Sequence, residues 1–216
     1  MEARQGCAKR LGLVYAMRRP YIQPMFIETE TTPNPASLKF LPGRQVMTAD
    51  TREFASPEAA EASPLAQAIF DTGEVVNVFF GSDFVSVTAA PGAVWSNLKP
   101  MVVSILLDHF VSEAPLFASG DASGISIPTQ SGMIVEENPE DADVIAQIND
   151  LLETKVRPAL AGDGGDIAFR GFKDGIVFLT LQGACSGCPS STATLKHGIE
   201  GLLKHYVPEV VEVRAA

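Results

Sequence analysis

The sequence predicts an α+β protein made of two small domains joined by a flexible linker. Short runs rich in β-branched and aromatic residues, bounded by Gly, Pro and Asp, are typical of strands. Longer segments with apolar residues at helical spacing lie between these runs. Residues 113–132 of the 216-residue chain carry little charge, and Gly, Ser, Pro and Thr fill half of their positions. Such a composition is typical of a flexible linker.

Composition and charge exclude some classes of protein. Hydrophobic residues make up 46% of the chain and charged residues 19%, which fits a globular protein with a core. The net charge is −10, and the acidic excess falls on the residues after position 24. Nucleic-acid binding is not expected, because phosphate contacts need clustered Lys and Arg. No run of 18 apolar residues occurs, so no membrane helix is expected.

Residues 1–24 differ from the rest, with five basic residues and one acidic residue. Three interpretations remain open: an upstream extension before a start at Met25, an organelle transit segment, or a disordered tail. We favour the first.

Three cysteines are too few for a disulfide framework, so we expect a reducing compartment. The bacterial cytoplasm is the expectation, and the mitochondrial matrix is the alternative if residues 1–24 are a transit segment. Cys7 lies in this leader and is given no role.

The first domain is predicted over residues 25–112. Prolines on both sides of Asn34 indicate a turn, because each disfavours the α region for the residue before it. Ser63 followed by Pro64 is typical of a helix start. The predicted strands are Phe26–Glu30, Ser37–Leu41, Val75–Phe80 and Phe84–Ala89, the last two forming a hairpin, and a last helix covers Trp95–Val111.

The second domain is predicted over residues 133–216, with the element order α-β-β-α-β. Asn138 before Pro139 indicates a helix start, and Pro158 should bend or end that helix. Asp174-Gly175 is a favoured hairpin turn. The remaining elements are the strands Ile167–Phe172, Ile176–Leu181 and Val210–Val213 and a helix from Ser190 to about Tyr206.

The main candidate site is the C-x-x-C motif of Cys185 and Cys188, between a predicted strand and a predicted helix. The free N–H groups and the positive dipole end of a helix N-terminus favour thiolate over thiol. Thiolates bind soft metals or exchange disulfides. The motif is therefore expected to bind a metal or to be redox-active.

Three hypotheses fit this motif. A thioredoxin-type redox pair also lies between a strand and a helix, but the 28 residues after Cys188 are too few to complete that fold. A structural zinc ion needs four ligands, and His197 is roughly 13 Å further along the helix. An iron–sulfur cluster usually takes four cysteines, and a homodimer would supply two from each subunit.

The dimer arrangement also fits the residues around the motif. Gly183 and Gly187 let backbone N–H groups approach sulfur, and two helix N-termini would face an anionic cluster. A cluster bound at the interface between two subunits can be released when the interface opens, and this property suits a carrier. The segment Asp163–Asp166 is interpreted as a tight turn rather than a metal site, because it lacks the order of an EF-hand loop.

At this point the residues resemble a known family. The segment 183–191, together with Arg157-Pro158-Ala159-Leu160 and Asp163–Asp166, resembles the C-terminal domain of NifU-like (Nfu-type) iron–sulfur scaffold proteins. The segment from Thr32 to Gly43 is similar to the N-terminal domain of the mitochondrial and α-proteobacterial branch of that family. The resemblance covers residues 25–214.

The resemblance implies a scaffold or carrier that is not an enzyme. It implies that Cys185 and Cys188 hold a labile cluster, more often 4Fe–4S than 2Fe–2S, bridging two subunits. It implies upstream cluster donors and apo iron–sulfur clients as partners, and an N-terminal domain that selects partners. The alternatives are a thiol–disulfide oxidoreductase using the same cysteines and a zinc-bound interaction module.

Overall fold

The computed structural model describes residues 26–48, 50–118, 141–186 and 189–216, and it shows two α+β domains. This agrees with the predicted fold class. The predicted linker, the predicted helix start at Asn138 and the leader fall mainly or wholly outside the described residues.

The N-terminal domain is a five-stranded antiparallel sheet with helices on one face. Its strand order is β1-β2-β5-β4-β3. In chain order the elements are β1 Glu28–Thr31, β2 Ser37–Leu41, β3 Arg52–Phe54, α1 Pro64–Phe70, β4 Val75–Phe80, β5 Val85–Ala89 and α2 Trp95–Val111.

Alternation along the strands separates two faces of this sheet. Phe40, Val78 and Val87 on the inner face join one buried cluster with residues of α1 and α2. Side chains on the outer face alternate with them, and they include Lys39 and Ser86. These two are nevertheless 8% and 1% exposed, so the outer face is also covered.

The C-terminal domain has the predicted order α-β-β-α-β. Its elements are α3 Ala142–Leu151, a π-helical turn Leu152–Val156, α4 Arg157–Gly162, β6 Gly165–Lys173, β7 Ile176–Gly183, α5 Pro189–Tyr206 and β8 Glu212–Ala215. Strand β7 lies between β6, which is antiparallel to it, and β8, which is parallel to it. Asp174 and Gly175 both have positive φ, as the predicted hairpin turn requires.

Some boundaries differ from the predictions for physical reasons. Pro158 does not end the helical segment, because the π-helical turn precedes it and places it in the first turn of α4. The wider π-helical turn takes up the irregularity that a proline introduces into a continuous helix. The last strand begins at Glu212 rather than Val210, and the first runs over Glu28–Thr31 rather than Phe26–Glu30.

The two domains contact each other directly. The covered outer face of the N-terminal sheet lies against the turn before β6 and the loop after β7. Ser86 Oγ on β5 donates a hydrogen bond to the carbonyl oxygen of Gly164, at 2.6 Å. No pattern in the sequence indicates this contact between the domains. The contact determines the surroundings of the cysteine motif.

Candidate functional site

Cys185 lies in the loop that follows β7 and precedes α5. Its side chain is 4% exposed and packs in the core of the C-terminal domain. Gly183, at the end of β7, has a φ of +66°, which lets the chain leave the strand sharply. Cys188 and Gly187 lie outside the described residues, so their places in the predicted site stay predictions.

Gly165 makes room for the sulfur of Cys185. It is the first residue of β6 and pairs with Gly183. A Cβ atom at Gly165 would lie 2.6 Å from Cys185 Sγ and 2.6 Å from the carbonyl oxygen of Gln182. No real Cβ atom comes that close, so only glycine fits this backbone.

The segment Asp163–Asp166 forms the tight turn that its sequence predicts. Gly164 has a φ of +80°. Its carbonyl oxygen also accepts a hydrogen bond from the backbone N–H of Ala184, at 3.1 Å, beside Cys185. The sequence-based interpretation missed this second role. One signal could have indicated it: the family resemblance includes both Asp163–Asp166 and the segment 183–191.

The acidity of Cys185 departs from expectation. A helix N-terminus was expected to favour its thiolate. Burial instead raises the pKa of Cys185 to about 12, and the negative charges of Asp163 and Asp166 add to this shift. Cys185 is therefore a protonated thiol at neutral pH in this arrangement, and binding a metal as a thiolate would release its proton.

Asp166 is a buried carboxylate with partners from both domains. Its Oδ1 lies 3.0 Å from Arg157 Nε, within the C-terminal domain. Its Oδ2 accepts a hydrogen bond from Thr51 Oγ1 of the N-terminal domain, at 2.7 Å. These contacts give Arg157 and Asp166, both in segments that resemble the family, a shared structural role.

Glu53 on β3 contacts the cysteine loop, here defined as residues 183–186. Its Oε1 accepts from the backbone N–H of Gly183 at 2.9 Å and lies 3.1 Å from Ser186 Oγ. The same oxygen accepts from Asn77 Nδ2 of its own domain, at 2.9 Å. A single carboxylate thus joins the N-terminal sheet to the strand end before Cys185.

Two residues of the Thr32–Gly43 segment also reach across. Asn34 Nδ2 donates to the carbonyl oxygen of Ala184 at 3.2 Å. Lys39 Nζ donates to the carbonyl oxygen of Gly162 at 3.4 Å and pairs with Glu30 at 3.1 Å. Sequence reasoning assigned this segment no chemistry, because side chains on a sheet face give no local signal of a distant partner.

Other metal sites are not formed by the part of the chain described. No three His, Cys, Asp or Glu residues within it cluster closely enough to hold a metal ion. His197, weighed earlier as a zinc ligand, has Nδ1 within 2.7 Å of the carbonyl oxygen of Ala193 on its own helix. Among the described helices, none is long and apolar enough to cross a membrane.

Comparison with known proteins finds two family matches. The family described as "NifU-like domain" matches residues 148–214, and "Scaffold protein Nfu/NifU N terminal" matches residues 27–113. All four segments on which the resemblance rests lie within these matches.

Curated relatives match most of the chain. "NifU-like protein 5, mitochondrial" of Arabidopsis thaliana is 47% identical over 188 residues, which are 86% of this chain and 66% of the relative. "NFU1 iron-sulfur cluster scaffold homolog, mitochondrial" of Homo sapiens is 46% identical over 187 residues, 86% of this chain and 70% of the relative. The Drosophila ananassae protein of the same name is 40% identical over 218 residues, covering 99% and 73%. The chain therefore spans about two thirds of the length of these relatives.

These relatives overturn the expected location. The bacterial cytoplasm is the wrong expectation, because the relatives carry names that place them in mitochondria. A low cysteine content indicates only a reducing compartment, and several compartments are reducing, so it does not distinguish a bacterial cytoplasm from a mitochondrion.

Proposed function

Because the chain belongs to the NifU-like (Nfu-type) family of iron–sulfur cluster scaffold proteins, as its motifs predicted, we propose that it holds an iron–sulfur cluster as cargo and passes it on. The observation that carries this proposal is 46% identity over 187 residues to a protein named as a cluster scaffold, together with a NifU-like domain match over residues 148–214, which include both cysteines of the motif. The family is one of scaffolds and carriers, so we propose no catalytic turnover.

Cys185 and Cys188 are the proposed ligands. Their sulfur atoms are the donors that iron–sulfur clusters take, and each chain supplies two. Two chains would supply four, so we propose a cluster bridging a homodimer, with 4Fe–4S favoured over 2Fe–2S. Gly183 and Gly187 would present backbone N–H groups to the cluster, and α5 would turn its N-terminus toward it.

Partners follow from the same proposal. Upstream donors supply the cluster, and apo iron–sulfur proteins receive it when the seam between subunits opens. The N-terminal domain is proposed to select these partners. We also propose a mitochondrial location, following the relatives' names and the basic, acid-poor composition of residues 1–24. A reporter fused after residue 24 would test the location.

The thiol–disulfide oxidoreductase hypothesis is weakened by the surroundings of Cys185. Disulfide exchange needs a thiolate nucleophile. Burial raises the pKa of Cys185 to about 12, which leaves little thiolate at neutral pH. We therefore keep this hypothesis, and that of a zinc-bound module, only as outcomes of the test.

Anaerobic reconstitution with iron and sulfide tests the proposal. Iron, zinc and acid-labile sulfide would be measured together with the mass in solution, for the wild type and for Cys185→Ala/Cys188→Ala. About four irons and four sulfides per dimer, absent from the double variant, are expected. Cys7→Ala is the matched control and should bind as the wild type does.

Other results have distinct meanings. Two irons per dimer with the same cysteine dependence would indicate the smaller cluster. A monomer without iron whose two thiols cycle with a disulfide would refute the carrier and support the oxidoreductase. Zinc in place of iron would support the interaction module.

A further inference from the structure

The contact between the two domains covers the cysteine loop. Gly183 and Ser186 contact Glu53, and Ala184 contacts Asn34. A Cβ atom at Gly183 would lie 2.9 Å from the ring of Phe79, so this aromatic ring of the N-terminal sheet packs directly on the backbone of the loop. The N-terminal domain therefore covers the loop that carries Cys185.

The cover combines the buried ring of Phe79 with several polar contacts, and the polar contacts help it to separate. Of the buried polar residues, Asn34, Lys39, Ser86 and Asp166 each make a hydrogen bond to the other domain. Water can hydrogen-bond to these groups when the domains part, and the apolar surface exposed at the same time includes the ring of Phe79. Polar contacts between domains are typical of interfaces that open and close.

The N-terminal domain does not need this contact for its own core. Its buried apolar cluster lies between the inner face of the sheet and α1 and α2, on the side away from the cysteine loop. Opening the contact would leave this cluster intact. The domains can therefore separate as folded units.

The closed arrangement conflicts with a bridging cluster. A cluster shared by two chains requires the loop of a second chain to reach Cys185, whose side chain is 4% exposed. Glu53 and Phe79 stand on that loop. Glu53 also places a carboxylate on the N–H of Gly183, the group that the proposed function assigns to the anionic cluster.

We propose that the outer face of the N-terminal sheet is an internal cap that closes on the cysteine loop, so that cap closure and cluster binding exclude each other. This proposal rests on the proposed function for what the loop binds. The cap shields the thiol of the empty protein and opens when a cluster is loaded. Residues of the N-terminal domain thereby control access to Cys185, the proposed cluster ligand in the other domain.

Alkylation of Cys185 in the full chain, without any cluster, tests the cap directly. The chain holds three cysteines, so a Cys7→Ser/Cys188→Ser background leaves Cys185 as the single thiol. The rate of reaction with a bulky maleimide reports how often the cap opens. Ser86→Ala removes one hydrogen bond of the cap and should speed the reaction roughly fivefold.

Ser37→Ala is the matched control. Ser37 lies on the same sheet, is 1% exposed like Ser86, and bonds to Thr88 within its own domain, at 2.8 Å. Its replacement removes an equally buried hydroxyl whose hydrogen bond lies within the N-terminal domain. The reaction rate should stay at that of the background.

Glu53→Ala provides a stronger test, because it removes a charged acceptor of the loop. We expect an increase of about tenfold or more. Asn77→Ala removes a partner of Glu53 inside the N-terminal domain and controls for local disturbance of β3 and β4. Circular dichroism would confirm that each variant is folded. If Glu53→Ala is not folded, the comparison of Ser86→Ala with Ser37→Ala decides whether the cap exists.

Cluster loading completes the test in the chain with all three cysteines. Ser86→Ala and Glu53→Ala should load faster than the wild type, as followed by the visible absorbance of the cluster. Equal alkylation rates for Ser86→Ala and Ser37→Ala would overturn the cap. Faster alkylation together with no cluster in any variant would keep the cap and refute the proposed function, so the two failures are distinguishable.

Discussion

Replacing Gly165 by alanine tests how tightly the cysteine packs against β6. The added Cβ would lie 2.6 Å from both Cys185 Sγ and the carbonyl oxygen of Gln182. The sulfur belongs to a side chain in a loop, but the carbonyl belongs to the backbone of the paired strand. The β6–β7 pair must therefore shift, since no side-chain rotation can relieve the contact with the carbonyl oxygen.

Overpacking of this kind costs about 1–3 kcal/mol in measured cores. The new methyl group meets one backbone atom and one sulfur atom, so we place the cost of Gly165→Ala in the upper half of that range, about 2–3 kcal/mol. For a protein of this size, each kcal/mol lowers the melting temperature by about 2–4 °C. The apo protein should therefore lose roughly 4–12 °C by these principles.

The assay is thermal and urea denaturation of the apo protein, with Gly198→Ala as the matched control. Gly198 lies within α5, and a Cβ there would meet nothing within 4 Å. This variant should gain up to about 1 kcal/mol, because alanine favours a helix interior over glycine. The double variant Gly165→Ala/Cys185→Ala should recover part of the loss by removing one of the two contacts.

A Gly165→Ala protein as stable as the wild type would refute this reasoning, since it would show that the strand pair tolerates the extra atom. Equal losses at Gly165 and Gly198 would refute it as well. That result would assign the effect to glycine replacement in general rather than to the sulfur contact.

Three further predictions concern other contacts. Arg157→Ala should cost about 2 kcal/mol in urea denaturation, because it removes the cation that pairs with the buried carboxylate of Asp166. Arg214→Ala, in an exposed pair, should leave the urea midpoint unchanged. Ser63→Ala should cost about 1 kcal/mol in the same assay, because its hydroxyl caps α1 and donates to a backbone carbonyl at 2.6 Å. The pKa of Cys185 is raised to about 12 from an ordinary 9.0, so between these pH values the unfolded chain loses the thiol proton that the folded chain keeps. The wild type should therefore lose stability relative to Cys185→Ala as pH rises from about 9 toward 12. Urea denaturation of both proteins across that range measures the difference.

The elements that the sequence predicted well carry their signal locally. The helix Trp95–Val111 and the strands Ser37–Leu41 and Val75–Phe80 have the predicted bounds, since apolar spacing and flanking turn residues mark each end. Strand β3 was missed because it has three residues, of which only Phe54 is buried. Three residues are too few to show an alternation.

The candidate site was likewise predictable only in part from the sequence. The cysteine motif could be found from its spacing and from its place between a strand and a helix. The partners of the loop could not, because Glu53, Ser86 and Asn34 are polar residues of a kind that normally faces water. Nothing within a window of the sequence distinguishes a polar residue facing solvent from one facing a second domain. The acidity of Cys185 was mispredicted for this reason, since its burial depends on long-range contacts.

The carboxylate of Asp166, held by Arg157 from one domain and Thr51 from the other, changes how sequence variation in this protein should be interpreted. Thr51 lies 115 positions from Asp166 in the sequence, and Glu53 lies 130 positions from Gly183, so a variant at either position would be classified as a distant surface change. Its effect would nevertheless fall on the cysteine loop. In a deep mutational scan, such positions should group with the loop in their profiles of tolerated residues, and compensating pairs should join the two halves of the gene.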